Sequence, residues 1–182
     1  MCDQTREKAS WANDLVIYKN GIEVISLAVK CCNDDISVSM MTRILDHIMR
    51  FGEAGEKRAV PLALSLLYVS NPSVAIIETL AKYSHDIDQD VVLSSIIAMG
   101  IVGAGTNNAR LSSQLKNLAS HCGSPKNNNY LFAVRIAQCF LFMGKGTLSL
   151  SPFVCDRFIC KKAVLVAVIG FLISFLDSSK SN

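Results

Sequence analysis

Apolar residues along this chain fall into runs separated by small or polar breaks, and the runs recur. The pairs Leu27-Ala28, Leu62-Ala63, Ile97-Ala98 and Ile136-Ala137 set their alanines 35, 35 and 39 residues apart. Each is followed within about ten residues by a helix-stop signal: Asn33, then Ser70-Asn71, then Gly105, then Gly144-Lys145-Gly146. A period of roughly 20–50 residues marks a repeat array, in which each helix pair buries its apolar face only against its neighbours. The pattern therefore predicts an all-α solenoid with inner and outer helices alternating.

The centre of the pattern is Val92 to Arg110, VLSSIIAMGIVGAGTNNAR. An apolar helix ends there at Gly103 and Gly105, which relieve the backbone of a Cβ and let neighbouring repeats approach closely. Thr106 then caps a more polar helix over 107–120. Upstream, Gly21 to Val29 reads as the first inner helix. Asp34-Asp35 offers an N-cap for a helix over 36–50, with Val38, Met41, Ile44, Leu45, Ile48 and Met49 on one face. Gly52 to Gly55 breaks it.

Lys57 to Val69 is apolar on nearly every side, so other helices must enclose it. If it starts at Lys57 or Arg58, Pro61 falls among the first four residues, whose N–H groups have no intrahelical partner. Asn71, tolerant of the left-handed conformation and followed by Pro72, ends the helix. An outer helix over Ser73 to Tyr83 turns Val74, Ile77, Leu80 and Ala81 inward and Glu78 and Lys82 outward. Asp86, Asp88 and Asp90 suit the N-terminus of the next inner helix. As a calcium loop beginning at Asp86 they fail, because Val91 stands where the sixth-position glycine belongs. After the polar loop His121 to Asn129, a fourth inner helix covers Tyr130 to Met143. The expected organisation is a polar lead-in over 1–20, about four helix-pair repeats over 21–147, and over 148–182 an irregular connector, an apolar helix at 163–176 buried in the array, and a polar tail. That helix is too short for a membrane span, which takes about 20 apolar residues.

Composition sharpens this picture. The chain is 51% hydrophobic with mean hydropathy +0.34, which calls for buried inner helices. Residues 1–90 carry nine basic and thirteen acidic side chains, whereas residues 91–182 carry nine and two. The basic residues are scattered singly, as on a solvated face rather than a nucleic-acid tract. Seven cysteines, an odd number lying partly inside apolar runs, behave as small reduced hydrophobes. No apolar signal core occupies the charged N-terminus.

Catalytic patterns fail on inspection. IIAMGIVGAGTNNAR has the glycine turn of a dinucleotide site, but Asn108 replaces the third glycine and no acid follows until Asp156. Gly144-Lys145-Gly146-Thr147 lacks the P-loop's first glycine, since Cys139 stands there, and has Gly after the lysine. His47, His85 and His121 are far apart without metal-ligand spacing. Cys122 beside His121 is an adjacency in sequence, and a nucleophile needs its base in space. No cofactor, metal or catalytic set is expected.

The motifs EKRAVPLALSLLYVSNP (Glu56 to Pro72), TLAKYSHD (Thr79 to Asp86), GAGTNNARL (Gly103 to Leu111), FAVRIAQ (Phe132 to Gln138) and MGKGTL (Met143 to Leu148) closely resemble the proteasome/cyclosome repeats of a large non-ATPase subunit in the base of the 26S proteasome regulatory particle. The resemblance covers about residues 22–176 and is to the type that docks ubiquitin-like proteins. It implies a segment of an α-helical toroid without catalysis of its own, working in cytoplasm and nucleus. Its implied partners are the ATPase ring, other regulatory-particle subunits, and ubiquitin or ubiquitin-like domains, with no nucleic acid and no membrane. The structural motif positions are Ala28, Ala63, Asn71, Ala98, Gly103, Gly105, Ala137, Gly144 and Gly146. No ubiquitin-binding residue carries over. The chain departs from the family pattern at Lys30-Cys31-Cys32, where glycines are favoured, and holds far fewer repeats. A helical-repeat adaptor outside the proteasome is the alternative.

Overall fold

The computed structural model describes residues 20–121, 128–154, 157 and 159–177. Helix α1 covers 20–31, followed by α2 (Asp35–Phe51), α3 (Ala54–Leu67), α4 (Val74–Tyr83), α5 (Gln89–Val102), α6 (Ala109–His121) and α7 (Asn128–Leu141). A 3-10 turn at Met143–Gly146, a short antiparallel pair β1 (Phe153–Val154) and β2 (Ile159–Cys160), and helix α8 (Lys162–Asp177) complete the described chain. The fold is an α-solenoid segment. Inner helices α3, α5 and α7 stand side by side in chain order, while α2 packs on α3, α4 on α5 and α6 on α7.

Helix α5 is enclosed because α3 and α7 flank it and α4 backs it. Every residue from Ser94 to Val102 is buried. Small residues allow this closeness: a Cβ added at Gly100 would lie 2.7 Å from the Cα of Ala137, so the backbones of α5 and α7 already touch there. Helix α3 is buried continuously from Ala59 to Leu67 for the same reason.

Several local expectations are corrected. Helix α3 begins at Ala54, not at Lys57 or Arg58, because Glu53 and Glu56 form a capping box in which the Glu53 N–H donates to Glu56 Oε2 at 3.1 Å. Gly55 is thus inside the helix and only Gly52 and Glu53 interrupt it. Pro61 then lies beyond the first turn, and its missing N–H leaves the carbonyl of the half-exposed Lys57 without its i+4 donor. The left-handed residue after α3 is Ser70 (φ 53°), not Asn71. Helix α4 turns Ile76, Ile77 and Leu80 inward, and Val74 is 55% exposed.

The caps also differ. Asn108 begins α6, its Oδ1 accepting from the N–H groups of Arg110 (2.9 Å) and Leu111 (3.4 Å), while the Thr106 hydroxyl donates back to the Gly103 carbonyl. Neither Asp34 nor Asp88, at the N-cap positions of α2 and α5, caps a backbone N–H through its side chain; Asp34 Oδ2 accepts instead from the Ser37 hydroxyl at 3.3 Å. Asp86 accepts from the N–H groups of Ile87 and Asp88, and Asp90 pairs with Arg58 at 2.7 Å. The fourth inner helix ends at Leu141, two residues before Met143.

The connector, expected to be irregular, contains the β1–β2 pair. Helix α8 is not buried in the array: only Val168 and Leu172 of its described residues are fully buried, and Val166 is 68% exposed. It rests one face on the inner row, chiefly on α3. The lead-in over 1–19, the middle of the 121–129 loop and the tail from 178 lie outside the described residues. Among the described residues no helix is long and apolar enough to cross a membrane.

Candidate functional site at the ends of the inner helices

Ser70, Gly105 and Gly144 stand seven residues after Ala63, Ala98 and Ala137, and all three take positive φ: 53°, 67° and 61°. The first two make the same contact in successive repeats. The Ser70 N–H donates to the Ile101 carbonyl at 3.2 Å and the Gly105 N–H to the Phe140 carbonyl at 3.0 Å, each acceptor lying three residues past the alanine of the next inner helix. A left-handed residue after a helix turns its N–H outward, and the last carbonyls of a helix need donors. Each repeat thereby ties the end of the next.

Space at these junctions is tight. A Cβ at Gly105 would sit 1.5 Å from the Leu148 carbonyl oxygen, so both its φ and its surroundings demand glycine. Gly103 is right-handed (φ −84°, ψ 0°), so conformation does not require it. A Cβ there would lie 2.7 Å from Leu111 and 2.9 Å from Leu141. Gly146 abuts Asn107 in the same way, at 2.8 Å. Ala28, Ala63, Ala98 and Ala137 are fully buried on their inner helices. Asn71 stands apart from this row, exposed, with its N–H on the Tyr68 carbonyl at 3.1 Å.

The connector runs back along these ends. Leu148 lies against Gly144 and Gly105, and the Leu150 N–H donates to Ser70 Oγ at 2.9 Å. Arg157 finishes the strap. Its Nη2 donates to the Leu67 carbonyl (2.9 Å), its Nη1 to the Cys32 carbonyl (3.1 Å), and its Nε pairs with Asp35 (2.8 Å). The guanidinium lies 5.2 Å from the Phe153 ring centroid and the side chain is only 11% exposed. A cation at the ends of α1 and α3 meets both their orphan carbonyls and their dipoles. Sequence reasoning missed Arg157, since an arginine in an irregular run has no spacing that announces its acceptors.

Beside it, the buried Cys32 thiol donates to the Ala28 carbonyl at 3.0 Å. Burial pushes its pKa up to about 12, with Arg157 opposing and Cys31 and Cys160 adding to the rise. A thiol held protonated is a packing group and not a nucleophile. Between α8 and the ends of α5 and α7 an apolar groove of about 190 Å³ is lined by Ile101, Phe140, Leu150, Val168 and Phe171. His47 lies on α2 and His85 in the turn after α4, each in its own repeat. What the described junctions share is helix packing and hydrogen bonding between repeats.

Comparison with known proteins agrees with this geometry. The proteasome/cyclosome repeat signature matches residues 94–121, the end of α5, the Gly103–Gly105 turn and α6. The chain is 44% identical over 157 residues to 26S proteasome non-ATPase regulatory subunit 2 homolog A of Arabidopsis thaliana, covering 86% of this chain and 17% of that protein. It is 42% identical over 157 residues to the 26S proteasome regulatory subunit rpn-1 of Neurospora crassa, with the same coverage. To the Schizosaccharomyces pombe subunit rpn1 it is 43% identical over 155 residues, covering 85% of this chain and 17% of the relative. The chain thus spans about one sixth of the length of the curated relatives it matches. Over most of its residues its curated homologues are 26S proteasome non-ATPase regulatory subunits, and a proteasome/cyclosome repeat lies within it.

Proposed function

We propose that this chain is a non-catalytic scaffold segment of the 26S proteasome regulatory particle. The observation that carries this reading is its identity of 42–44% to regulatory subunits across 85–86% of its own length. In this reading it contacts the ATPase ring and neighbouring regulatory-particle subunits, works in cytoplasm and nucleus, and supports degradation of ubiquitinated proteins by docking ubiquitin or ubiquitin-like domains. The repeat positions Ala28, Ala63, Asn71, Ala98, Gly103, Gly105, Ala137, Gly144 and Gly146 serve the array and not a ligand.

Native purification of the tagged chain from its own cells, followed by mass spectrometry, tests the assignment. Proteasomal ATPases are expected in the eluate, and their absence together with recovery of an unrelated assembly would favour an adaptor outside the proteasome. That second reading draws on Lys30-Cys31-Cys32, which departs from the glycines of the family pattern. Ubiquitin docking is a separate matter, read by titrating ubiquitin chains against the isotope-labelled protein. Shifts confined to one exposed face support it, and an unchanged spectrum at millimolar ubiquitin removes it.

A further inference from the structure

Among the described residues one buried side-chain oxygen lacks a hydrogen-bond partner within the chain: Oε1 of Gln114, in α6. Leaving a buried acceptor unpaired is costly, so such a group in a folded protein points to something that answers it. Gln114 lines a pocket of about 230 Å³ between α6 and the end of α4. Met99 of α5 and Leu118 of α6, both buried, give the pocket an apolar wall, while His85 and Asn117, both exposed, stand on its solvent side. Ser84 also lines it, but its hydroxyl is committed to the Ala81 carbonyl at 2.8 Å.

The room is far more than the roughly 10–15 Å³ that one water molecule needs, and less than the roughly 300 Å³ at which sites for drug-sized ligands begin. A group the size of one amino-acid side chain suits it. That group must donate to Gln114 Oε1. It must also be uncharged, because apart from His85 the lining holds no ionisable residue, and a buried cation would find no carboxylate there. A carbonyl on the same group adds a second bond, since the Gln114 amide carries N–H donors beside its oxygen. We infer that this pocket binds a primary carboxamide, either the end of an asparagine or glutamine side chain of a partner polypeptide or a small free amide. Its N–H donates to Gln114 Oε1, its carbonyl accepts from an amide N–H of Gln114 or Asn117, and its carbon body lies on Met99 and Leu118.

Titration of the isotope-labelled 182-residue chain with propionamide, followed by NMR, tests this. Saturable shifts are expected at Ser84, Gln114 and Asn117 and at the Met99 and Leu118 methyls. Butanone, which keeps the carbonyl and the size but has no N–H, should bind about fivefold or more weakly, because it leaves the buried acceptor unpaired. Gln114→Met removes that acceptor at similar volume. It should lose propionamide binding while its thermal midpoint stays level or rises, since no satisfied hydrogen bond is lost. The blocked peptide acetyl-alanyl-glutaminyl-alanine amide separates the two sources: binding tighter than that of propionamide assigns the pocket to a polypeptide side chain, and weaker binding assigns it to a free amide. Absence of saturable shifts with both amides up to about 200 mM, butanone binding equal to that of propionamide, or amide binding retained by Gln114→Met would each overturn the proposal. So would a crystal soaked in propionamide that holds an ordered water alone on Gln114 Oε1. The butanone comparison is made on the wild-type chain, so it decides the matter even if Gln114→Met fails to fold.

Discussion

Helices α5 and α8 are both strongly apolar, yet the array treats them in opposite ways. From Ser94 to Val102 α5 has no exposed residue, whereas α8, with its run AVLVAVIGFLISFL, fully buries only Val168 and Leu172 among its described residues. Composition does not separate them; neighbours do. Helix α5 is flanked by two inner helices and backed by an outer one, and Gly100 lets α7 come to backbone contact. Helix α8 lies across the row on one face, and a Cβ at its Gly170 would meet nothing within 4 Å. Apolar content permits burial, and the number of surrounding elements decides it.

The most damaging test of this contrast is Gly105→Val. Left-handed strain in a non-glycine residue costs about 1–3 kcal/mol, more for a β-branched one, and here the new Cβ also overlaps the Leu148 carbonyl. Loss of a cooperative urea transition is expected, while Gly170→Ala in α8 leaves the midpoint unchanged or raised. Next, Ile97→Ala in α5 should cost about 2–5 kcal/mol by denaturant titration, because an enclosed site cannot collapse around the cavity. Arg157→Ala should cost about 1.5–3 kcal/mol, the range for hydrogen bonds to a charged group, since the Leu67 and Cys32 carbonyls lose their donor. Lysine should restore only part of that loss, having no planar fork to reach two carbonyls at once.

A smaller effect comes with pH. The Cys32 thiol ionises near 9.0 when unfolded and near 12 when buried, so the unfolded chain loses its proton first. Its contribution to stability is complete below about pH 9 and declines as pH rises toward 12. Thermal melts across that range should fall less steeply in Cys32→Ala than in wild type. At the bottom of the scale, Val166→Ala on the exposed side of α8 should change stability by less than about 0.5 kcal/mol.

Periodicity made the array legible. The four alanines and the enclosed Lys57 to Val69 run follow from spacing alone, because an inner helix must be apolar all round and an outer one on a single face. Single residues at the junctions were less legible. Ser70 takes the left-handed conformation although Asn71 is the better intrinsic candidate, since only a residue at position 70 can reach the Ile101 carbonyl and receive the Leu150 N–H. Thr106 and Asn108 are both good caps two residues apart, but the Thr106 hydroxyl is turned back to the Gly103 carbonyl, and Asn108 takes the first N–H groups of α6. Arg157 depends on acceptors 90 and 125 residues away in sequence, which no local pattern encodes.

Amide hydrogen exchange tests the central contrast most directly, because it reads how firmly each helix is held within the native array. The amides of α5 from Ser94 to Val102 and the inter-repeat donors Ser70 and Gly105 should be among the slowest in the protein, exchanging about tenfold or more slowly than those of α8. Protection in α8 equal to that of α5, or rapid exchange at Ser70 and Gly105, would contradict the account of an inner row tied end to end beneath a surface helix.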